Sequence, residues 1–286
     1  MFPGLLYEPK GSVARSFSGG LALLRDFFCR LMPTIQNINS EPSDTMKSLA
    51  KRIFRAFGYE LRKFDPSISE SAQFMRMLSA HNVNLVLDVG ANVGQFGRKN
   101  LRDGGYGGRI VSFEPLQAAR EKLAVESGGD PLWEIAPRAA VGDSDGEIEI
   151  HVSNNSVSSS VLDMLETHSN SAPESQYIGL ESVPLVRLDS VASNYVRDDS
   201  VVFLKIDTQG YEDRVLDGAA DLLNRAVGVQ LELSLVPLYK EQRLYRDLIG
   251  QLDELGFQLW SISPAFVDPD TGRLLQMDAT FFRDTL

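Results

Sequence analysis

The stretch NLVLDVGANVGQFGRKNL, residues 84–101, joins an apolar run to a glycine turn and then to a helix-like segment. Leu85 to Val89 is apolar except for Asp88, and the turn Gly90-Ala91-Asn92-Val93-Gly94 follows at once. A helical stretch is expected from Gln95 to about Arg102. A strand apolar on both faces that feeds a helix belongs to a parallel sheet covered on both sides. Glycines in that turn permit unusual dihedrals and let another group sit against bare backbone.

The same alternation continues along the chain. RIVSFE (109–114) precedes a helix-like segment opened by Pro115, which needs no amide donor in a first helical turn. VVFLKID (201–207) leads into GYEDRVLDGAADLLNRA, and VGVQLEL (227–233) leads into a helix around Lys240 to Leu255. DSDG (143–146) reads as a hairpin-type turn before EIEIHVS. FQLWSI and ATFFR have no helix between them and predict a late antiparallel hairpin. These residues predict a doubly wound α/β domain over about 70–286. Ser153 to Val183, rich in Ser and Asn, breaks the rhythm and reads as an insertion or lid.

Composition narrows the function. The chain has 286 residues and a net charge of -11, so it lacks the basic field of a general nucleic-acid binder. Its single cysteine, Cys29, can form no internal disulfide, and no Cys/His cluster suggests zinc; a cytoplasmic compartment is expected. Residues 1–45 read as a poorly ordered extension with one short helix near 20–32, ending in the linker NINSEPSD. Residues 46–69 form a basic amphipathic helix and lead-in. Between Met46 and Lys63 the local charge is +5, with Leu49, Ile53 and Phe57 on one arc and Lys47, Lys51, Arg52 and Arg55 on the other. That helix either packs with a solvated basic face or makes peripheral contact with an anionic membrane surface or an acidic carrier.

In a doubly wound sheet, ligands bind beyond the carboxyl ends of the strands. The turn after strand one lacks the dinucleotide fingerprint G-x-G-x-x-G, and no G-x-x-x-x-G-K-[ST] loop exists. A nicotinamide dehydrogenase is therefore disfavoured. The pattern is D-x-G-x-N-x-G, carried by Asp88, Gly90, Asn92 and Gly94. Glu114 ends the next strand, placed to accept hydrogen bonds from ribose hydroxyls. The set suits a nucleoside carrying an amino acid, S-adenosyl-L-methionine, against the plainer reading of a glycine turn with a surface acid. Asp143, after AAVG, could reach an adenine amino group or serve its own turn.

At the ends of strands four and five stand Asp207, Glu212 and Glu232. Lys205 lies two residues before Asp207 and so on the same face of its strand. Asp207 is the first candidate to take or orient an acceptor proton, with Lys205, Glu212 and His151 as further catalytic candidates. Lys205 and Glu212 could equally form a structural ion pair. His151 could be merely structural. Three acids in one crevice could hold a cation, but no dedicated metal motif is present, and none is assigned.

LDVGANVGQFG, VSFEP, AAVGDSDGEIEI, VPLVRLDS, FLKIDTQGYEDRVLDGA, VQLELS and GRLLQMDATFFR resemble the FkbM family of S-adenosylmethionine-dependent methyltransferases over about residues 46–286. The most specific marker is Lys205-Ile206-Asp207-Thr208-Gln209-Gly210-Tyr211-Glu212, similar to the family's K-I-D-x-x-G-x-E block. The resemblance implies a class I methyltransferase, Rossmann-like fold: a mostly parallel seven-stranded sheet with an antiparallel C-terminal strand. It also implies methyl transfer to a hydroxyl of a sugar, polysaccharide, glycolipid or other small molecule. The contrary expectation is a catalytically inactive module that binds the cofactor or a partner. The acceptor, the general base and the oligomeric state are not written in these motifs.

Overall fold

A computed structural model describes residues 67–283, together with scattered positions between 48 and 65. The chain divides into two compact units, Met1–Asp65 and Pro66–Leu286. In the first unit, the extension 1–45, the short helix near 20–32 and Cys29 lie outside the described residues, as do Leu49, Ile53 and Phe57. The described positions between 48 and 56 are helical, with Lys51, Arg52 and Arg55 exposed and Phe54 half-buried.

The second unit is built on a seven-stranded sheet of order β3-β2-β1-β7-β8-β10-β9. Its strands are β1 (Leu85–Val89), β2 (Arg109–Phe113), β3 (Trp133–Ile135), β7 (Val202–Ile206), β8 (Ala226–Ser234), β9 (Phe257–Val267) and β10 (Leu274–Arg283). β1 pairs in parallel with β2 and β7, and β7 with β8; β10 runs antiparallel to both β8 and β9. The expected antiparallel hairpin at the end of the chain is thus present, and it sets β10 inside the sheet.

Strand alternation divides the core into two layers. Leu85, Leu87, Val89, Leu204 and Ile206 face Val215, Leu216, Leu222, Leu223, Leu248 and Leu252. Those come from the helices Glu212–Asp217, Ala220–Arg225 and Tyr245–Glu254. Val86, Ile110 and Phe203 face Phe74, Leu78 and Leu123, from the helices Glu70–Ala80 and Gln117–Glu126. Each fully buried Leu or Val contributes roughly 1.5–3 kcal/mol, so both faces must be covered. The helix Glu70–Ala80 starts where Ser69 Oγ accepts from Ala72 N at 3.5 Å. The segment after the glycine turn is helical as expected, but it is a π-helix over Phe96–Arg102. Gly97 lies bare against the Trp133 indole there; a Cβ would come within 2.2 Å of that ring.

One expectation is corrected. DSDG is not a hairpin. A second sheet has the order β4-β6-β5, with β6 (Tyr177–Val186) between β4 (Ala140–Val141) and β5 (Gly146–Ser153). The turn's acid explains this. Asp145 Oδ1 accepts from Arg187 N at 2.9 Å and Oδ2 from Ser190 Oγ at 2.8 Å, so the turn caps the chain leaving β6. Within residues 153–183, a helix spans Glu166–Ser171 and β6 begins at Tyr177.

Candidate active site

Strand order reverses between β1 and β7, so the ligand crevice lies beyond their carboxyl ends. Val89 and Ile206 are register partners, which sets Gly90 beside Asp207. Gly90 has φ +78, and a Cβ there would lie 1.9 Å from the Asp207 carbonyl oxygen. The group approaching that bare backbone is therefore the chain itself. Gly94, at φ +90, makes room for Leu123 in the same way, at 2.9 Å.

Glu114 joins the turns after β1 and β2. Its Oε2 accepts from Asn92 N at 2.7 Å and its Oε1 from Leu116 N at 2.8 Å. Asn92 takes a left-handed conformation, φ +48, that aims this amide. Glu114 is 5% exposed, and burial pushes its pKa up to about 7 against the pull of the two amides. The carboxylate fits an adenosyl ribose: each oxygen has spent one of its two lone pairs, leaving one acceptor position apiece for a hydroxyl.

Asp88 does not stand free at the strand end. It is fully buried; Oδ1 faces Lys205 Nζ at 3.5 Å and Oδ2 accepts from Ser112 Oγ at 3.4 Å. Lys205 Nζ also donates to Asp207 Oδ2 at 3.2 Å and sits 5.2 Å from the Phe96 ring centre. Burial pulls the Lys205 pKa down, but the carboxylates of Asp207, Asp88 and Asp278 outweigh it and hold the ammonium above the ordinary lysine value. Lys205 stays charged and takes no proton. Among the described residues its ion-pair partners are Asp88 and Asp207, not Glu212, the alternative reading.

Glu212 is spent on its own turn. It accepts from Thr208 N at 2.9 Å, Thr208 Oγ1 at 3.2 Å and Gly210 N at 3.0 Å. It is 2% exposed, and burial raises its pKa to about 7. Asp207 keeps its face to the crevice with a 30% exposed side chain, and both its oxygens are held. Lys205 donates to Oδ2, and Gln209 Nε2 donates to Oδ1 at 2.8 Å.

Gln209 escaped the sequence reading. A left-handed residue at φ +54, it donates from the same nitrogen to Glu232 Oε2 at 2.6 Å, and its Oε1 accepts from Tyr239 OH at 3.0 Å. Gln276 Nε2 also donates to Glu232 Oε2, at 2.8 Å. Burial raises the Tyr239 pKa, so this phenol remains a donor. Ser160 Oγ donates to the Gln209 carbonyl at 2.6 Å, and Ser156 Oγ to Asn92 Oδ1 at 3.3 Å. The serine-rich segment thus touches the turns after both β1 and β7. No local pattern marks Gln209 or Tyr239, because the contacts that join them to each other and to Glu232 span 23 to 30 residues.

The remaining candidates lie around this centre. His151 stacks on Tyr177 at 4.6 Å with Nε2 3.4 Å from Asp163 Oδ1, and it bridges in the β sense to Ser160. Asp143 Oδ2 accepts from Arg214 Nη1 at 3.1 Å. Among the described residues, no group of three or more His, Cys, Asp or Glu side chains is arranged to hold a metal ion. A cleft of about 210 Å³ is lined by Asn84, Leu85, Gly108 and Arg109, at the amino ends of β1 and β2. That end is opposite the crevice, so the cleft takes no part in this site.

The methyltransferase FkbM domain model matches residues 88–259. No curated protein matches the chain. Among solved structures, it is similar to the methyltransferase FkbM from Methylobacillus flagellatus, at 12% identity and a TM-score of 0.40. The match covers 70% of this chain and 44% of that one, so the chain spans less than half of that protein. It is also similar to the magnesium protoporphyrin IX methyltransferase of Synechocystis with bound SAM, at 11% identity and a TM-score of 0.39, covering 92% and 96%. An rRNA methylase from Streptococcus thermophilus matches at 11% identity and 0.39, covering 76% and 98%. The family assignment rests on the domain match alone.

Proposed function

Because the chain belongs to the FkbM methyltransferase family, whose methyl donor is S-adenosylmethionine, we propose that it methylates a hydroxyl of a sugar, polysaccharide or glycolipid. The observation that carries this reading is the Asp207 carboxylate, held at both oxygens beside the strand-order switch and facing the crevice. S-adenosylmethionine supplies an electrophilic methyl on a sulfonium. The chain's own residues do the rest.

Glu114 accepts the ribose hydroxyls and keeps the turns after β1 and β2 at fixed spacing. Asp207 accepts the proton of the acceptor hydroxyl and orients its oxygen along the line of transfer. Lys205 stays cationic beside the Asp207 carboxylate, while Gln209 fixes its rotation. The bulk negative charge argues against a nucleic-acid acceptor. The exposed Lys51, Arg52 and Arg55 support peripheral contact of residues 46–63 with an anionic membrane surface on the cytoplasmic side. Sedimentation with anionic vesicles that survives deletion of 46–63 would remove that contact.

The acceptor is tested by mass spectrometry of glycans and glycolipids from cells with and without the gene. Loss of one methyl from one species is expected, and unchanged profiles refute the acceptor class. On the acceptor so found, Asp207→Asn should keep S-adenosylmethionine affinity within a few-fold by calorimetry and slow transfer by about 10²–10⁴. Normal turnover would pass the role to Glu232 or His151. Lost affinity with normal saturated turnover would move Asp207 to the cofactor.

A further inference from the structure

A groove of about 390 Å³ opens between the helix Tyr245–Glu254 and the last strands of the large sheet. Ile249, Phe257, Leu259 and Phe281 give it an apolar lining, and Arg246 and Asp253 also line it. It adjoins β9, the last strand of the sheet among the described residues, where Leu259 and Ile262 are exposed.

The helix carries two stripes. Leu248 and Leu252 are buried in the core. Arg246, Ile249, Gly250 and Asp253 fall at i, i+3, i+4 and i+7 and share the other face. Gly250 is the odd member. Glycine destabilises a helix interior relative to alanine, yet among the described residues nothing lies within 4 Å of where its Cβ would stand. No packing among the described residues calls for the missing side chain.

We propose that this groove is the contact face between two copies of the chain, related by a two-fold axis, with the two helices antiparallel and crossing at Gly250. The charge pattern selects this occupant. Arg246 and Asp253 stand at equal distances on either side of the Ile249–Gly250 midpoint, about 10 Å apart along the helix. Antiparallel self-packing therefore sets Arg246 of each copy against Asp253 of the other, whereas parallel packing would oppose like charges. Gly250 lets the backbones approach, and Ile249 and Leu259 fill the space beside them. The inference is independent of the acceptor.

Sedimentation equilibrium of the full chain at low salt should give twice its mass of 31.6 kDa. Arg246→Glu or Asp253→Arg alone should raise the dissociation constant by about tenfold or more, and the double reversal should restore it. Gly250→Gln should raise the melting temperature of the chain while dissociating the dimer, which separates a lost interface from a lost fold. A monomeric wild type, with the groove left to residues 1–65 or to another protein, overturns the proposal. So does a dimer indifferent to the charge reversals and to Gly250→Gln.

Discussion

Alanine at Gly90 tests whether this glycine serves the chain's own backbone or a ligand. Its conformation, φ +78, costs an L-residue about 1–2 kcal/mol. Its Cβ would lie 1.9 Å from the Asp207 carbonyl, and relief to 3.0 Å requires a shift of about 1.1 Å in a buried strand end. Such overpacking costs about 1–3 kcal/mol. Gly90→Ala should therefore lose about 2–5 kcal/mol in urea unfolding followed by circular dichroism. Three other glycines separate the terms. Gly105 has φ +93 with open space around it and should lose only the dihedral cost. Gly218 has φ -83 but would meet the Gly142 carbonyl at 1.8 Å, and should lose only the steric cost. Gly146 has neither and should be neutral. A Gly90→Ala protein of wild-type stability that has lost S-adenosylmethionine affinity would refute the reasoning, because the bare backbone would then be kept for the ligand.

Glu114→Ala should weaken S-adenosylmethionine binding by about 1–3 kcal/mol and also destabilise the chain, since Asn92 N and Leu116 N lose their acceptor; unchanged affinity in folded protein would place the ribose elsewhere. Glu114 and Glu212 have folded pKa values of about 7, above the ordinary 4.5, so the folded state binds more protons between those values. Their contribution is fully present below about pH 4.5 and is lost as pH rises through 7, by about 3 kcal/mol for each group. Denaturation at pH 5 and pH 8 should show this fall, and Glu212→Gln should reduce it; an unaltered fall would assign it to other groups. Gln209→Leu should keep cofactor affinity and slow transfer by about a hundredfold through a loosened Asp207, whereas a normal rate would make the bridge idle.

The large sheet was legible because its strands are apolar on both faces and its helices are marked by periodicity. The place of Glu114 at the end of β2 was legible from its distance to the glycine turn, and the facing of Lys205 with Asp207 from strand alternation. What that alternation could not supply was register. Asp88 and Lys205 lie opposite one another across β1 and β7, and no local pattern joins residues so far apart. Glu212 was misread for a related reason: a carboxylate following a turn can look outward to a cation or back to its own amides, and Thr208 and Gly210 captured it. The hairpin at DSDG failed because Asp145 reaches the chain after β6, which a window of a few residues cannot contain. Gln209 was hidden because its left-handed backbone and its three side-chain partners arise only in the closed fold.

The Asp88–Lys205 contact also bears on how the chain is made. β1 takes β2 as one neighbour soon after both emerge, but its other neighbour is remote: Asn84 and Val201, already paired at the start of these strands, are 117 residues apart. At about 5–20 residues per second, the second edge of β1 waits on the order of ten seconds for β7 to be synthesised. An apolar edge left open that long invites pairing with a neighbouring chain. Asp88 places a carboxylate near the carboxyl end of that edge, so an intruding strand must bury it without a counter-ion. Only β7 arrives with an ammonium in register, and the residue that guards the nascent edge becomes the one that admits the right strand.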